Sequence, residues 1–579
     1  MKKYLLILVS CFLLLDSASA QAPNWLWAKG MGGTSVDDGY SVTTDDSDNV
    51  YTTGNFYGTV DFDPGAGVFN MTSSGSTDVF ISKFDSAGNF IWAKKFGGIN
   101  QDEGRNIAAD AYHNVYISGS FQSTVDFDPG AGVYNLTSAG SLSCFISKLD
   151  ISGNFLWAKA IGGNTATATG RGMGIDVSAN VYTAGIFQGT IDCDPGAGIF
   201  NLIAAGGNDV FLSKLDSSGN FLWAKRMGGI NVDNVFALTI SSAPNADVYT
   251  TGVFNGPSDF DPGPGIFNIT PAGGEDVFIS KLDSSGNFIW AKQIGGTDTD
   301  QGWSIAVDPS GSGAVYTTGF FKGTADFDPG AGTYNLTSTG GPLDADIFIS
   351  KLDASGNFVW AKRMGGIGSD IAYSIVIEAA SNTTYIYTTG FFYVTVDFDP
   401  SAATYNLSSA GLTDIFLSKL DSSGNFVWAK RMGGTGSDGG YSMALGASGN
   451  LYMTGNYSSP VIAFSSTVLT GFGNSDIFVS KLDSPFSGST GNNNEIENAD
   501  KSILVFPNPF TTTATIRLDK EIRDGSVRLI NLFGQTVLEK NNINGDKFIL
   551  HRDNLGSGIY VYEVTEKGNR IFSGKAVVY

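Results

Sequence analysis

The chain has 579 residues, of which 76 are glycine, with 34 Lys and Arg against 56 Asp and Glu for a net charge of -22. That balance excludes a nucleic-acid binder, which needs a basic footprint, while 42% hydrophobic and 12% aromatic residues exclude a disordered polymer. The two histidines, His113 and His551, lie in different regions and speak against His-ligated zinc and His-based triads, and three cysteines (Cys11, Cys144, Cys193) make no disulfide framework.

The N-terminal run MKKYLLILVSCFLLLDSASAQ places two lysines before an apolar core and ends in Ala18-Ser19-Ala20. This pattern predicts a signal peptide over residues 1–20, cleaved after Ala20. A lipoprotein-type cysteine, Cys11, is the rival reading, but the apolar core before it is short and the run continues past it. No later apolar run reaches the roughly 18 residues of a membrane helix, so the chain is not expected to span a membrane.

From residue 24 the sequence repeats. WAK occurs with Trp at 27, 92, 157, 223, 290, 360 and 428, and SK(L/F)D begins at Ser82, Ser147, Ser213, Ser280, Ser350, Ser418 and Ser480. One unit reads as four strands: FLWAKRMGG from Phe221, VFALTI from Val235, DVYTTGVF from Asp247 and DVFISKLD from Asp276. β-Branched and aromatic runs alternate with Gly, Asn, Asp and Ser, and nothing sustains a helical period. A repeated four-stranded antiparallel meander predicts an all-β, seven-bladed β-propeller over residues 21–484. The region opens on a lone last strand, NWLWAKGMGG, and closes on DIFVSKLD with no WAK after it. The N-terminal strand is therefore expected to complete the final blade; an open solenoid would not need that split unit. Each repeated Trp buries about 150–250 Å², worth about 4–6 kcal/mol gross at ~25 cal/mol/Å², and is expected to pack blade on blade. Trp25 and Trp303 fall outside the series.

Six units carry a further segment, VDFDPGAGVFN in its first copy. Its aspartate pairs are Asp61 and Asp63, Asp126 and Asp128, Asp192 and Asp194, Asp259 and Asp261, Asp326 and Asp328, and Asp397 and Asp399. Two readings stand side by side. Asp63-Pro64-Gly65 fits a type II turn between hairpin arms, which explains every residue but the first Asp. Alternatively the paired carboxylates share a calcium ion, although two residues supply too few of its six to eight oxygens without neighbouring loops. Alternation of loops along a meander puts these segments on one face with the acidic loops after WAK, such as GGTSVDD (32–38) and GGINQDE (97–103). Functional residues are expected on that face. Arg171, in GGNTATATGRG, marks a place where the blades differ and reads as a solvated loop residue.

The markers GNLYMTG and DIFLSKLDSSGNFVWAK resemble a bacterial β-propeller repeat family, to which no single activity belongs. LDSSGNFLW is similar to the docking repeat of quinoprotein propellers and to the Asp-box of sialidases, but both spacings differ, and neither transfers an activity. Residues 485–500, rich in Ser, Gly and Asn, read as a flexible linker. Beyond it TATIRL, SVRLINL, TVLEK, KFILH, IYVYEV and GKAVVY predict six or seven short strands, a small Ig-like β-sandwich over residues 501–579. This end resembles the C-terminal sorting domain of type IX secretion cargo, in FPNPF (Pro507, Asn508, Pro509), INLFGQTV (Gly534), LGSGIYVYEV (Gly558, Tyr560) and SGKAVVY (Gly574, Lys575). The resemblance implies export through the periplasm by the type IX machinery, to the medium or the outer cell surface. The expectation is a monomeric, non-enzymatic binding protein for a surface glycan or protein, with no cofactor unless calcium binds. A propeller hydrolase, lyase or quinoprotein, and a calcium-stabilised adhesive protein, are the alternatives.

Overall fold

A computed structural model describes residues 23–483 and 504–578, apart from 243–244, 342–343, 381–382, 465–466, 507–512, 532–534, 553–554, 557 and 568. The expected signal peptide and linker lie outside the described residues. The chain divides into two compact units at residue 488. No helix among the described residues is long and apolar enough to cross a membrane.

Among the described residues the first unit holds seven antiparallel groups of four strands, the blades: three are separate sheets, two extend through a neighbouring hairpin to six strands, and two join in one sheet of eight. Their innermost strands are Asp38–Thr44, Glu103–Ala109, Thr167–Ile175, Asp233–Ile240, Gln301–Val307, Ile371–Ala380 and Asp438–Leu445, here blades 1 to 7. Each innermost strand contacts the next, and that of blade 7 contacts that of blade 1, so the sheets form a closed ring. The second and third strands of each blade are buried along nearly their whole length, as in VYTTGNF and DVFISKF. The outermost strand carries WAK, and in blade 7 it is Trp25–Met31, paired antiparallel to Asp476–Leu482. Apolar side chains from neighbouring blades fill the spaces between sheets, Tyr51 and Phe80 among those fully buried.

The repeat markers latch one blade to the next. Trp92 Nε1 donates to Ile151 O at 3.2 Å, and Lys83 Nζ donates to the same carbonyl at 3.1 Å. Trp157 and Lys148 share Ser217 O in the same way, as do Trp223 and Lys214 at Ser284 O. WAK and SK thus converge on the turn of the following blade. That turn needs its glycine twice: Gly88 has φ +79°, and a Cβ there would stand 2.8 Å from the Trp27 ring. Gly88→Ala is expected to destabilise the chain by about 1–2 kcal/mol from the left-handed backbone alone, read as a lower midpoint of chemical denaturation with an unchanged slope.

Aspartates of the acidic loops are buried staples. Asp37 accepts Gly33 N at 2.8 Å and Tyr57 N at 3.0 Å, tying the loop after WAK to the end of its own blade's second strand. Asp102, Asp233, Asp300, Asp370 and Asp438 repeat the arrangement. Each faces a second buried aspartate from the preceding blade: Asp476, Asp78, Asp209, Asp276, Asp346 and Asp414. In all six of these partners Oδ1 is buried without a hydrogen-bond partner. The seam between blades 2 and 3 has Ser143 and Ala168 where the others have both carboxylates.

The described residues between 504 and 578 form one five-stranded antiparallel sheet. The expected six or seven short strands are fewer because TATIRL and SVRLINL lie in a single strand, Thr513–Ile530, and TVLEK and KFILH in another, Thr536–His551. Between TATIRL and SVRLINL only Ile522 and Gly525 pair, with register shifts at Arg517/Ile522 and Ile522/Gly525, and this is enough to carry the strand through without a break. Gly558, Tyr560, Gly574 and Lys575 lie in its last two strands, with Tyr560 Oη donating to Gly556 O at 2.8 Å. Pro507, Asn508, Pro509 and Gly534 lie outside the described residues.

Candidate functional site

The DFDPG segments are hairpins whose carboxylates are engaged by their own backbone. Thr59–Asp61 pairs with Asn70–Thr72. Asp61 Oδ1 accepts Asp63 N at 3.1 Å and Phe69 N at 2.8 Å across the hairpin, and Asp63 Oδ1 accepts Gly65 N at 2.8 Å. The same bonds recur at Asp126 and Asp128, Asp192 and Asp194, Asp259 and Asp261, Asp326 and Asp328, and Asp397 and Asp399. The turn is therefore an Asx turn and not type II: the side chain of Asp63 takes the N–H, and Gly65 does not have the positive φ a type II turn requires. The residue between the aspartates points inward, as Phe62 against Phe56 and Phe80, and as buried Cys193 in blade 3. With one oxygen of each carboxylate held by amides and no third ligand-type side chain grouped with the pair among the described residues, unfolding midpoints in excess calcium and in chelator are expected to agree within about 1 °C, whereas saturated sites would each add roughly 2.7 kcal/mol at a hundredfold excess over Kd.

One group of three ligand-type side chains occurs among the described residues, Asp45, Asp46 and His113. His113 joins blades 1 and 2 there, with Nδ1 3.3 Å from Asp45 and Nε2 3.4 Å from Asp46. Asp45 also receives Ser47 N, Asn49 and the Tyr51 hydroxyl, so the group reads as a turn clasp.

The constellation that differs from blade to blade lies on the propeller axis. Every innermost strand has one β-bulge near its start, skipping Tyr40, Arg105, Arg171, Phe236, Trp303, Tyr373 and Tyr441 in turn. A bulge re-aims a side chain out of the alternation of its strand. The residue before the bulge is Gly or Ala in every blade but blade 4, which has Val235, because the preceding blade is close: a Cβ on Gly104 would stand 2.6 Å from Thr53 Oγ1. All seven re-aimed side chains, each half-buried, line one cavity of about 470 Å³. That volume lies within the range of small-molecule sites.

Contacts run around most of this ring. Phe236 stacks on Trp303 at 4.3 Å and 8°, Trp303 meets Tyr373 edge-on at 5.0 Å, and Tyr373 meets Tyr441 at 5.2 Å. Tyr441 lies 6.0 Å from Tyr40, and the Arg105 guanidinium sits 4.4 Å over the Tyr40 ring. Arg105 is neutralised by Glu103 at 2.6 and 2.9 Å. Arg171 makes no hydrogen bond or ion pair among the described residues; burial first, and then Arg105, pull its guanidinium below the usual arginine range. The sequence reading of Arg171 as a solvated loop residue is thus corrected: the bulge turns it into the cavity. The serines that directly follow four of the bulge residues, Ser41, Ser304, Ser374 and Ser442, accept backbone N–H groups of the next blade and hold the strands at their spacing.

Residues 504–579 match the family model described as the secretion system C-terminal sorting domain. The chain is 26% identical over 525 residues, 76% of its length, to an uncharacterized WD repeat-containing protein, L264, of Acanthamoeba polyphaga mimivirus, and spans 36% of that protein. It is 35% identical over 77 residues (13% of the chain, 14% of the relative) to ulvan lyase NLR42 of Nonlabens ulvanivorans. Sqt1 of Chaetomium thermophilum, bound to the N-terminus of ribosomal protein L10, aligns over 75% of this chain and 97% of its own at 10% identity, with a TM-score of 0.32. The fold rests on the sheets themselves. The chain is a β-propeller repeat protein. It ends in a type IX sorting domain, which marks it for export by that secretion machinery.

Proposed function

We propose that the chain is an exported, monomeric binding protein that takes its ligand in the axial cavity and performs no chemistry on it. In this reading the leader is removed after Ala20 and the propeller is carried to the outer surface or released. One observation carries the proposal: a scaffold of near-identical blades presents seven bulge side chains of four kinds, Tyr, Arg, Phe and Trp, into one cavity. Symmetric repeats built only for packing have no use for that asymmetry. The ring offers aromatic faces and guanidinium donors, and Glu103, the carboxylate beside it, is held by Arg105 and Gln101, which favours binding over acid–base catalysis. The acidic loops and hairpins on the same side act as the frame.

Saturation-transfer NMR with a panel of mono- and disaccharides and small organic acids tests this. At least one compound is expected to give signal with the full chain, and Trp303→Ala is expected to abolish it. Signal that persists unchanged in Trp303→Ala, or silence across the panel, would refute the site.

A further inference from the structure

We infer that the axial cavity takes a sugar acid, a pyranose bearing one carboxylate, with the carboxylate on Arg171; this rests on the cavity being the binding site. Arg171 lines this space with no hydrogen bond and no carboxylate within salt-bridge distance among the described residues, Glu103 attracting it only from further off. Asn106 and Trp303 also line it, with Nδ2 and Nε1 buried behind its surface and without a partner among the described residues. Asn106 and Arg171 come from adjacent blades, and Trp303 from two blades beyond Arg171.

The acceptors nearby are spent. Glu103 receives Arg105 and Gln101, and Asp38 receives the Tyr40 hydroxyl and Asn456 Nδ2 at 2.7 Å. The serine oxygens already accept backbone N–H groups. The ligand must therefore bring acceptors, one of them matched to a guanidinium, which binds carboxylates in bidentate fashion.

Its body is set by the remaining wall. Phe236 stands next to Arg171 in the ring and stacks on Trp303. A pyranose offers a face of C–H groups to such rings, and a carboxylate on its edge can reach Arg171. The ring charges of Arg105 and Glu103 cancel, and the chain as a whole carries -22. One unpaired guanidinium in a cavity of about 470 Å³ suits a single anionic sugar and not a length of polyanion. That sugar is either free or the end of a chain.

Calorimetric titration of the full chain with D-glucuronate, D-glucose and a linear uronate trimer tests the inference. Glucuronate is expected to bind at least about tenfold tighter than glucose, the difference expected of one charge-assisted contact. Arg171→Met should remove that difference without lowering the unfolding temperature, Arg171→Lys should restore part of it, and added salt should weaken it. A trimer that binds while the monomer does not would identify a chain end as the source and still support the carboxylate on Arg171. Equal binding of glucose and glucuronate, unaffected by Arg171→Met, would overturn the acid and leave the cavity as the site. No binding by any of the three, together with a silent NMR panel, would overturn both.

Discussion

Lowering the pH from 8 to 5 is expected to raise the midpoint of thermal unfolding. Six seams between blades bury a pair of aspartates, and burial is the main cause that pushes one member up: to about 6 at Asp37, Asp102 and Asp233, about 7 at Asp300 and about 8 at Asp370, with Asp438 also raised. The facing aspartate adds to the shift and offers an orphaned Oδ1 that a shared proton would satisfy. The sign follows from the direction. A carboxyl held above its unfolded value of about 3.8 favours the folded state below that value, and this contribution is lost as pH rises through 6 to 8. Toward still lower pH a second set takes over. In turn aspartates such as Asp85, Asp150 and Asp216, hydrogen bonds from the following Asn outweigh burial and hold the carboxylate low, so stability falls again once they protonate. The optimum is expected near pH 5. Asp276→Asn isolates one seam, because Asp276 is hydrogen-bonded to Gln293 and has no cation to lose. An amide N–H in place of the shared proton should stabilise the chain at pH 8 by roughly 1–3 kcal/mol, the cost of one unsatisfied buried group, with little gain at pH 5. Midpoints that stay level or fall from pH 8 to 5 would rule out proton sharing in the seams.

Deleting residues 23–33 is expected to abolish cooperative folding of the propeller. The segment is the outermost strand of blade 7, and its Trp25, Trp27, Ala28 and Met31 are buried. Trp25 meets Phe464 edge-on at 5.1 Å, Trp27 lies 6.2 Å from Tyr452, and Trp27 Nε1 reaches Ser86 O in blade 1. Losing a buried Trp alone costs about 3–5 kcal/mol, so two with their strand approach the ~5–15 kcal/mol that holds a whole domain. Circular dichroism should show a broad, sloping melt, and a peptide of residues 21–33 added in trans should restore a sharp one. A truncated chain that still melts cooperatively, within a few degrees of the parent, would mean that the ring does not depend on this closure.

The sequence made the scaffold legible because its physics repeats. WAK, SK and the Gly-Asn turn recur together, and the structure gives them one cause, a carbonyl in the next blade that accepts from both Trp and Lys. The split unit pointed to the strand Trp25–Met31 for the same reason. What did not repeat was harder to read. Arg171 and Trp303 each stood out singly, but their relation emerges only when the seven innermost strands are set in register. The column after Gly39, Gly104 and Gly170 then reads Tyr, Arg, Arg, Phe, Trp, Tyr, Tyr, all large. The carboxylates of Asp61 and Asp63 were legible as a pair but not in their role, since the backbone amides that occupy them carry no sequence signature. The strand count of the C-terminal unit was overestimated because the polar stretch DKEIRDG does not end the strand: Ile522 and Gly525 hold it to the ladder while the residues between them bulge out of register.

The most direct test is a crystal of the full chain soaked with D-glucuronate. The expected result is a sugar on the propeller axis, its carboxylate against the Arg171 guanidinium and its ring beside Phe236 and Trp303. A sugar bound only at the outer hairpins near Asp61 and Asp63, with ordinary solvent in the axial cavity, would contradict the reading of the bulge ring as the binding site.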